Sequence, residues 1–448
     1  MKTLNTLTFL AITFCNSFFS QKDLAIPNTR IDGISQWGNG TIVCNFPNSS
    51  VLPKSRTFNY FDETGKMLWE KEIKPFNYTN KFIASKESKY AYFVNLSFLK
   101  TAAAESSDHD SPIRINRIDM QGNVKEMIIS MSSLSPLIKK DLNSLQFACI
   151  SGDKLNLLFE VKNPIDKKSR SYALIQIDVD GKCKVQKMDN LTIKEENWSN
   201  VASSSPVYIT NDSKNIIFMN TNRYESTLEF NITILDANTL KPSKEIKATM
   251  PYTKLPGLFA SAGEASYSET QGVSYNTWWT TMKGNTTYST LEAFTTPKLL
   301  GSTLLLAGNS RLSKENIIGL WNIKVDLKGE NVQNLEPEII DLSKFPSFEV
   351  TKANTTRSLV SFNIDLNEDG ETTYYLEGRD FKYFVIDKLK IKALEASNMG
   401  SISILANPKA LSELKKSGIK DPVMYVHKNS EESIFYVLNG KTVKVLKY

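Results

Sequence analysis

The sequence predicts an all-β chain assembled from a repeated four-stranded unit. Three observations carry this. Apolar, strand-like runs ending in Asp recur at near-constant spacing, two further strand-like runs precede each of them, and long helical periodicity is absent. Units of about 50–60 residues with four short strands read as blades of a β-propeller, a ring that leaves only short, protected edges. A row of separate sandwich domains would need about 90–100 residues per unit, more than the spacing provides.

The repeats are FNYFDETGKMLWE with Asp62, RINRIDMQGNVKEM with Asp119, LIQIDVDGKCKVQ with Asp178, NITILDANTLKPS with Asp236, WNIKVDLKGENVQ with Asp326 and KYFVIDKLKIKAL with Asp387. A seventh hairpin, SIFYVLNGKTVKVLKY, has Leu438 where the others have Asp. Successive spacings are 57, 59, 58, 90, 61 and 51 residues, so one gap holds extra chain. Seven blades are expected. Six or eight stay open, because the stretch 251–295 is either an insertion or a further blade.

Each Asp carboxylate can accept hydrogen bonds from the backbone N–H groups of the turn that follows it. Gly65, Gly122, Gly181 and Gly329, two or three residues later, supply the positive φ that a tight hairpin needs. These aspartates are turn fasteners first. The upstream runs are NKFIAS and KYAYFVNL in the second unit, LQFACI and KLNLLFEV in the third, and PVYIT and KNIIFMN in the fourth. The one credible helix is Pro408–Lys416, capped by Asn407, with Pro408 in its first position and Gly418 just past its end.

FDETGKMLWE resembles the quinoprotein-type (PQQ-like) propeller repeat of the WD40-like superfamily, in which a strand-ending Asp, a Thr-Gly turn and a docking Trp recur. That resemblance implies a propeller in which Trp69 docks one blade on the next. The later copies keep Asp, and usually Gly, but lack the Trp. The resemblance therefore covers shape and not cofactor chemistry.

The N-terminus adds an address. Lys2 followed by the apolar stretch Leu7 to Phe14 reads as a signal peptide over residues 1–20, with Gln21 first in the mature chain. The stretch is too short to span a bilayer, which takes about 20 apolar residues. A secreted, periplasmic or cell-surface protein is expected. Lipidation at Cys15 is disfavoured by the bulky Phe14 before it. The mature chain keeps Cys44, Cys149 and Cys183, an odd number in strand-like surroundings, read as buried thiols with at most one disulfide. About ten Asn-x-Ser/Thr sequons occur, among them Asn77, Asn95, Asn197 and Asn285.

Composition narrows the chemistry. Lys+Arg 54 against Asp+Glu 48 gives a net +6 without a basic block, so no nucleic-acid partner is implied. Two histidines, His109 and His427, leave little room for histidine catalysis or histidine-rich metal sites.

Two constellations stand out. Asp365-Leu-Asn367-Glu-Asp369-Gly370-Glu371 matches the first half of a calcium loop, where a hard cation takes several oxygens from one tight turn. Its twelfth position is Leu376 and its flanks are strand-like, so a helix–loop–helix site is excluded. A polar hairpin tip is the plainer reading and a structural calcium ion the alternative. The second is the stretch GVSYNTWWTTMKGNTTYSTLEAF, which crowds Tyr275, Trp278, Trp279, Tyr288 and Phe294 together. Neighbouring residues on a strand point to opposite faces, so one Trp can pack inward while the other stacks on a sugar or a partner side chain.

The chain is thus expected to be a non-catalytic propeller that binds a protein or a glycan and needs no cofactor. The alternative is a carbohydrate-active propeller enzyme, a glycoside hydrolase or polysaccharide lyase, with carboxylates converging on the central channel. A quinone-dependent dehydrogenase would need cofactor-binding residues in several blades, which the degenerate repeats do not offer.

Overall fold

The computed structural model describes residues 20–26, 31–45, 55–74, 80–95, 113–130, 134, 142–162, 169–194, 207–211, 214–223, 227–251, 265–268, 272–275, 281–282, 285–286, 298–311, 318–341, 359–366, 371–378, 383–387, 390–394, 408–419, 423–428, 433–439 and 441–447. The proposed signal peptide through residue 19 lies outside them.

Strand β1 (Ser20–Ala25) comes first. Blade one is β2 (Ile31–Trp37), β3 (Gly40–Asn45), β4 (Arg56–Phe61) and β5 (Met67–Ile73). Blade two is β6 (Asn80–Ile83), β7 (Tyr90–Asn95), β8 (Ile113–Asp119) and β9 (Val124–Ile129). Blade three is β10 (Leu142–Ser151), β11 (Lys154–Lys162), β12 (Ser169–Ile177) and β13 (Cys183–Lys194). Blade four is β14 (Val207–Asn211), β15 (Asn215–Arg223), β16 (Thr227–Asp236) and β17 (Pro242–Pro251).

Two short hairpins follow, β18 (Ala265–Ser268) with β19 (Gly272–Tyr275) and β20 (Thr281–Met282) with β21 (Asn285–Thr286). Blade five is β22 (Lys298–Leu300), β23 (Thr303–Arg311), β24 (Ile318–Asp326) and, after an excursion through β25 (Val332–Asn334), β26 (Glu338–Asp341). Blade six is β27 (Leu359–Leu366), β28 (Thr372–Gly378), β29 (Tyr383–Asp387) and β30 (Lys390–Leu394). Helix α1 (Pro408–Ser417) ends at Gly418, which takes φ +66°, and leads to β31 (Val423–Lys428), β32 (Ser433–Asn439) and β33 (Thr442–Lys447). These three complete blade seven with β1, in the order β1-β33-β32-β31.

The fold is a seven-bladed β-propeller, as the repeat predicts. First strands of neighbouring blades touch: β6 with β10, β10 with β14, β14 with β22, and β31 with β2 across the closure. They therefore line the axis. Apolar clusters bridge successive blades in turn. Leu24, Ile434 and Tyr436 meet Val43 and Phe61; Trp37, Ile42 and Phe58 meet Ala91 and Phe93. Tyr92 and Ile115 meet Leu155 and Phe159; Leu158 and Tyr172 meet Ile216 and Phe218; Ile217 and Phe230 meet Leu304 and Trp321. The two-residue period of a strand does the sorting, because Ile42 and Cys44 face blade two while Val43 between them faces blade seven.

The last hairpin needs a correction. SIFYVLNGKTVKVLKY is the pairing of second and third strands, not a seventh Asp hairpin. Its fourth strand is supplied by β1, with Ser20 opposite Lys447 and Ala25 opposite Thr442. Leu438 is therefore not the counterpart of the aspartates. Blade five departs too. After Asp326 the chain does not turn straight back onto β24. Instead β25 runs parallel to β17 of blade four, Lys247 opposite Val332, before β26 returns to pair with β24.

The Asp turns form as expected. Oδ1 of Asp62, Asp119, Asp178, Asp236 and Asp326 accepts the N–H two residues on, at 2.9–3.1 Å. Gly65, Gly122 and Gly181 take φ of +88°, +79° and +88°. Gly329 does not adopt positive φ and so corrects the fourth of that set. Trp69 docks as the repeat implies: its Nε1–H donates to the Met120 carbonyl at 2.9 Å, and its ring lies against Gly122.

Blades two, three and four, which lack the Trp, reach the next turn through lysine instead. Trp69 stands opposite Tyr60, two residues before the Asp. At the matching register Lys125, Lys184 and Lys244 stand opposite Arg117, Gln176 and Ile234. Lys125 Nζ lies 3.6 Å from Asp180 Oδ1, Lys184 Nζ donates to the Asn238 carbonyl at 3.3 Å, and Lys244 Nζ donates to the Leu327 carbonyl at 3.1 Å. Lys22 on β1 closes the series by donating to the Asp62 carbonyl at 3.0 Å. Five outer strands, β5, β9, β13, β17 and β1, thus reach the turn of the next blade.

Trp69→Ala removes this donor together with the stacked ring of Tyr60, centroids 5.6 Å apart, and the edge contact with Trp37. A loss of about 2–4 kcal/mol is expected, and about 1 kcal/mol for Trp69→Phe, which keeps a ring but not the donor. The denaturant midpoint and slope of each variant check both values. Deleting residues 442–448 removes the strand that joins β1 to blade seven and opens the ring. The expected result is loss of solubility or of a single cooperative unfolding transition, and a normally folding deletion would refute the closure.

Candidate functional site

The ring has two unlike faces. Turns joining first to second and third to fourth strands share one face, the turn face. They are short: Gly38-Asn39 joins β2 to β3, Gly152-Asp153 joins β10 to β11, and the Asp turns close the outer hairpins. The opposite, loop face carries the connections 46–54, 96–112, 131–141, 195–206, 252–297 and 342–358. Binding residues concentrate where connections are long and the scaffold beneath is rigid.

The two sequence candidates fall on opposite faces. Asp365 lies on β27 opposite Thr373, and Leu366 pairs with Thr372, so these ends of β27 and β28 lie on the turn face. Glu371 is exposed, while Asn367 and Asp369 lie outside the described residues. Among the described residues no group of three or more His, Cys, Asp or Glu is arranged to hold a metal ion. Of the aromatic stretch, Tyr275 is described, and the strands that bracket 252–297, β17 and β22, end and begin on the loop face. Tyr275 ends β19, which pairs antiparallel with β27, Val273 opposite Phe362 and Ser274 opposite Ser361. Trp278, Trp279 and Tyr288 lie outside the described residues.

Four acids elsewhere are already engaged. Asn59 Nδ2 donates to Glu70 Oε2 at 2.8 Å while its Oδ1 accepts from Asn45 Nδ2 at 2.7 Å. Asn322 Nδ2 likewise donates to Glu338 Oε2 at 2.8 Å and also to the Tyr374 hydroxyl, which ties blade five to blade six. Lys247 Nζ lies 2.6 Å from Glu229 Oε2, and Arg114 3.0 Å from Glu126 Oε1. The signal for these amide–acid pairs is an Asn three or four residues before the repeat Asp, in FNYFD and WNIKVD, which sequence reasoning passed over.

None of Cys44, Cys149 and Cys183 is in a disulfide; Cys44 is buried and the other two partly so, and burial, then the Asp178 charge, pushes the Cys183 thiol up to about 11. A thiol held so high is a poor nucleophile at neutral pH. Asn95, one of the sequons, is 1% exposed, so the folded chain offers no room for a glycan there. No helix among the described residues is long and apolar enough to cross a membrane.

No protein-family model and no curated protein matches the chain. Among solved structures it is similar to the β-propeller domain of the trilobed protease from Pyrococcus furiosus, at 10% identity and TM-score 0.40, covering 94% of this chain and 93% of that one. It is also similar to Kuenenia stuttgartiensis hydrazine synthase, at 10% identity, TM-score 0.37, and 95% and 97% coverage. Parainfluenza virus 5 hemagglutinin-neuraminidase follows at 8% identity, TM-score 0.34, and 84% and 93% coverage. Those proteins' chemistries differ from one another, and none transfers to this chain at such identities.

The Asp turns give the pH dependence. Hydrogen bonds from the Thr64 hydroxyl, then from backbone N–H groups, lower the Asp62 carboxyl, and the Thr239 N–H and hydroxyl do the same for Asp236. At Asp119 burial raises the carboxyl, but the Asn123 side chain and the backbone N–H groups of Asn123 and Gln121 outweigh it. A depressed folded-state pKa stabilises the fold above the unfolded value, about 3.9, and that contribution is lost as pH falls through the folded value. Stability should therefore fall as pH drops from about 5 towards 3. In the triple variant Asp62→Asn, Asp119→Asn, Asp236→Asn the slope should flatten, as read by denaturant midpoints across that range.

Proposed function

We propose that the chain is an exported, non-catalytic propeller that binds a protein or glycan ligand on its loop face. Tyr275, Trp278, Trp279 and Tyr288 are the contact residues in this reading. One observation carries it. The seven first strands, which line the axis, hold two carboxylates among them, Asp32 on β2 and Asp365 on β27. First strands run from the loop face to the turn face. Asp32 is the second of seven residues in its strand and Asp365 the seventh of eight in its own, so the two lie toward opposite ends of the inner strands. Glycoside hydrolysis needs its two carboxyl groups about 5–9.5 Å apart. The inner strands thus favour binding over hydrolysis.

Kinship with quinoprotein-type repeats belongs to the same proposal and rests on Trp69 over the turn at Gly122, with no quinone chemistry attached. Export rests on the N-terminal signal pattern, which ends where β1 begins. No cofactor is required. A calcium ion at Asp365, Asn367, Asp369 and Glu371 would act on the turn of blade six alone, remote from the ligand face.

Trp278→Ala with Trp279→Ala is expected to lower retention on immobilised glycans about tenfold or more, with the unfolding midpoint unchanged. Unchanged retention dismisses these residues as a glycan site. New reducing ends on incubation of the purified protein with polysaccharide would establish the hydrolase instead. Calcium should raise the melting temperature of the wild type and not of Asp365→Asn with Asp369→Asn. Equal melting curves with and without the ion leave a polar hairpin tip.

A further inference from the structure

We infer that the β18–β19 hairpin is a strap laid across the loop-face mouth of the central channel. Neighbouring first strands touch around the axis from β31 to β2 and from β6 through β10 and β14 to β22, and β27, the first strand of blade six, turns the same edge toward that axis. β19 occupies this edge, and blade six becomes a six-stranded sheet in the order β18-β19-β27-β28-β29-β30. The paired residues Phe362 and Ser361 lie in the first half of β27, which enters from the loop face, so the contact sits at that end of the channel. Two added strands at about 4.8 Å each extend the sheet about 10 Å inward.

The hairpin leaves the chain between blades four and five, yet pairs with blade six. Its ladder on β27 has two paired positions, whereas β28 holds the other edge of β27 along nearly its whole length. The strap can therefore lift away without unravelling the blade. The inference rests on strand register and not on the ligand proposed above, so lost or retained glycan binding leaves it standing.

Cysteines directly opposite in an antiparallel pair have Cα atoms about 4.5–5.5 Å apart, within the range a disulfide accepts. Full-length Ser274→Cys with Ser361→Cys, mildly oxidised and digested, should give at least tenfold more linked peptide by mass spectrometry than Ser274→Cys with Thr249→Cys. The second pair samples a hairpin folded back on blade four, its neighbour in sequence. Equal linkage, or linkage favouring Thr249→Cys, overturns the strap. Hydrogen exchange on the unmodified chain is the independent check. The amides of 273–274 should exchange at least tenfold more slowly than an unstructured segment, and full-speed exchange there overturns it as well.

Discussion

Every blade here buries both of its faces, and the rest of the structure follows from that. A sheet with one wet face alternates apolar and polar residues; a sheet covered on both sides reads as a continuous apolar run. The second strands do so: TIVC, AYFV, LNLLF, NIIFM and TLLLA. Such a sheet cannot stand at the end of a stack, because one greasy face would remain in water. Closing the stack into a ring is the arrangement that gives each sheet two neighbours. The bridging clusters, from Trp37 and Phe58 against Phe93 to Leu24 and Tyr436 against Phe61, are that requirement met blade by blade.

The polar chemistry is subordinate to the same constraint. Flat apolar faces can slide over one another, and the outer-strand residues Trp69, Lys125, Lys184, Lys244 and Lys22 reach for fixed backbone or carboxylate oxygens on the adjoining turn. The aspartates hold those turns in the one conformation that presents the oxygens. Conformation and docking are thus coupled, since a turn that loses its Asp also loses the geometry its neighbour binds.

What was legible in the sequence was local. An Asp followed by Gly is a turn whatever surrounds it, and Trp69 announces itself by size. What stayed hidden depends on residues distant in sequence. Lysine at the Trp register looks like any exposed lysine until the next turn is placed beside it. Strand β25 reads as the second arm of a hairpin, and only the open edge of β17 explains why it runs elsewhere. The final hairpin was misassigned for a similar reason, because its missing partner is at the other end of the chain. Of the candidate site, Tyr275 and Asp365 are placed on opposite faces, and the tryptophans lie beyond the described residues.

That partner carries a consequence for how the molecule is made. Among the described strands β1 is made earliest, yet the strand it pairs with, β33, is made latest. Through the whole interval of synthesis the opening segment has no ladder to join, and six finished sheets wait with an uncovered flank at either end. Contacts of such long sequence separation are slow to form and leave the nascent protein exposed to misassociation. The circle therefore stays open until β33 is available to β1.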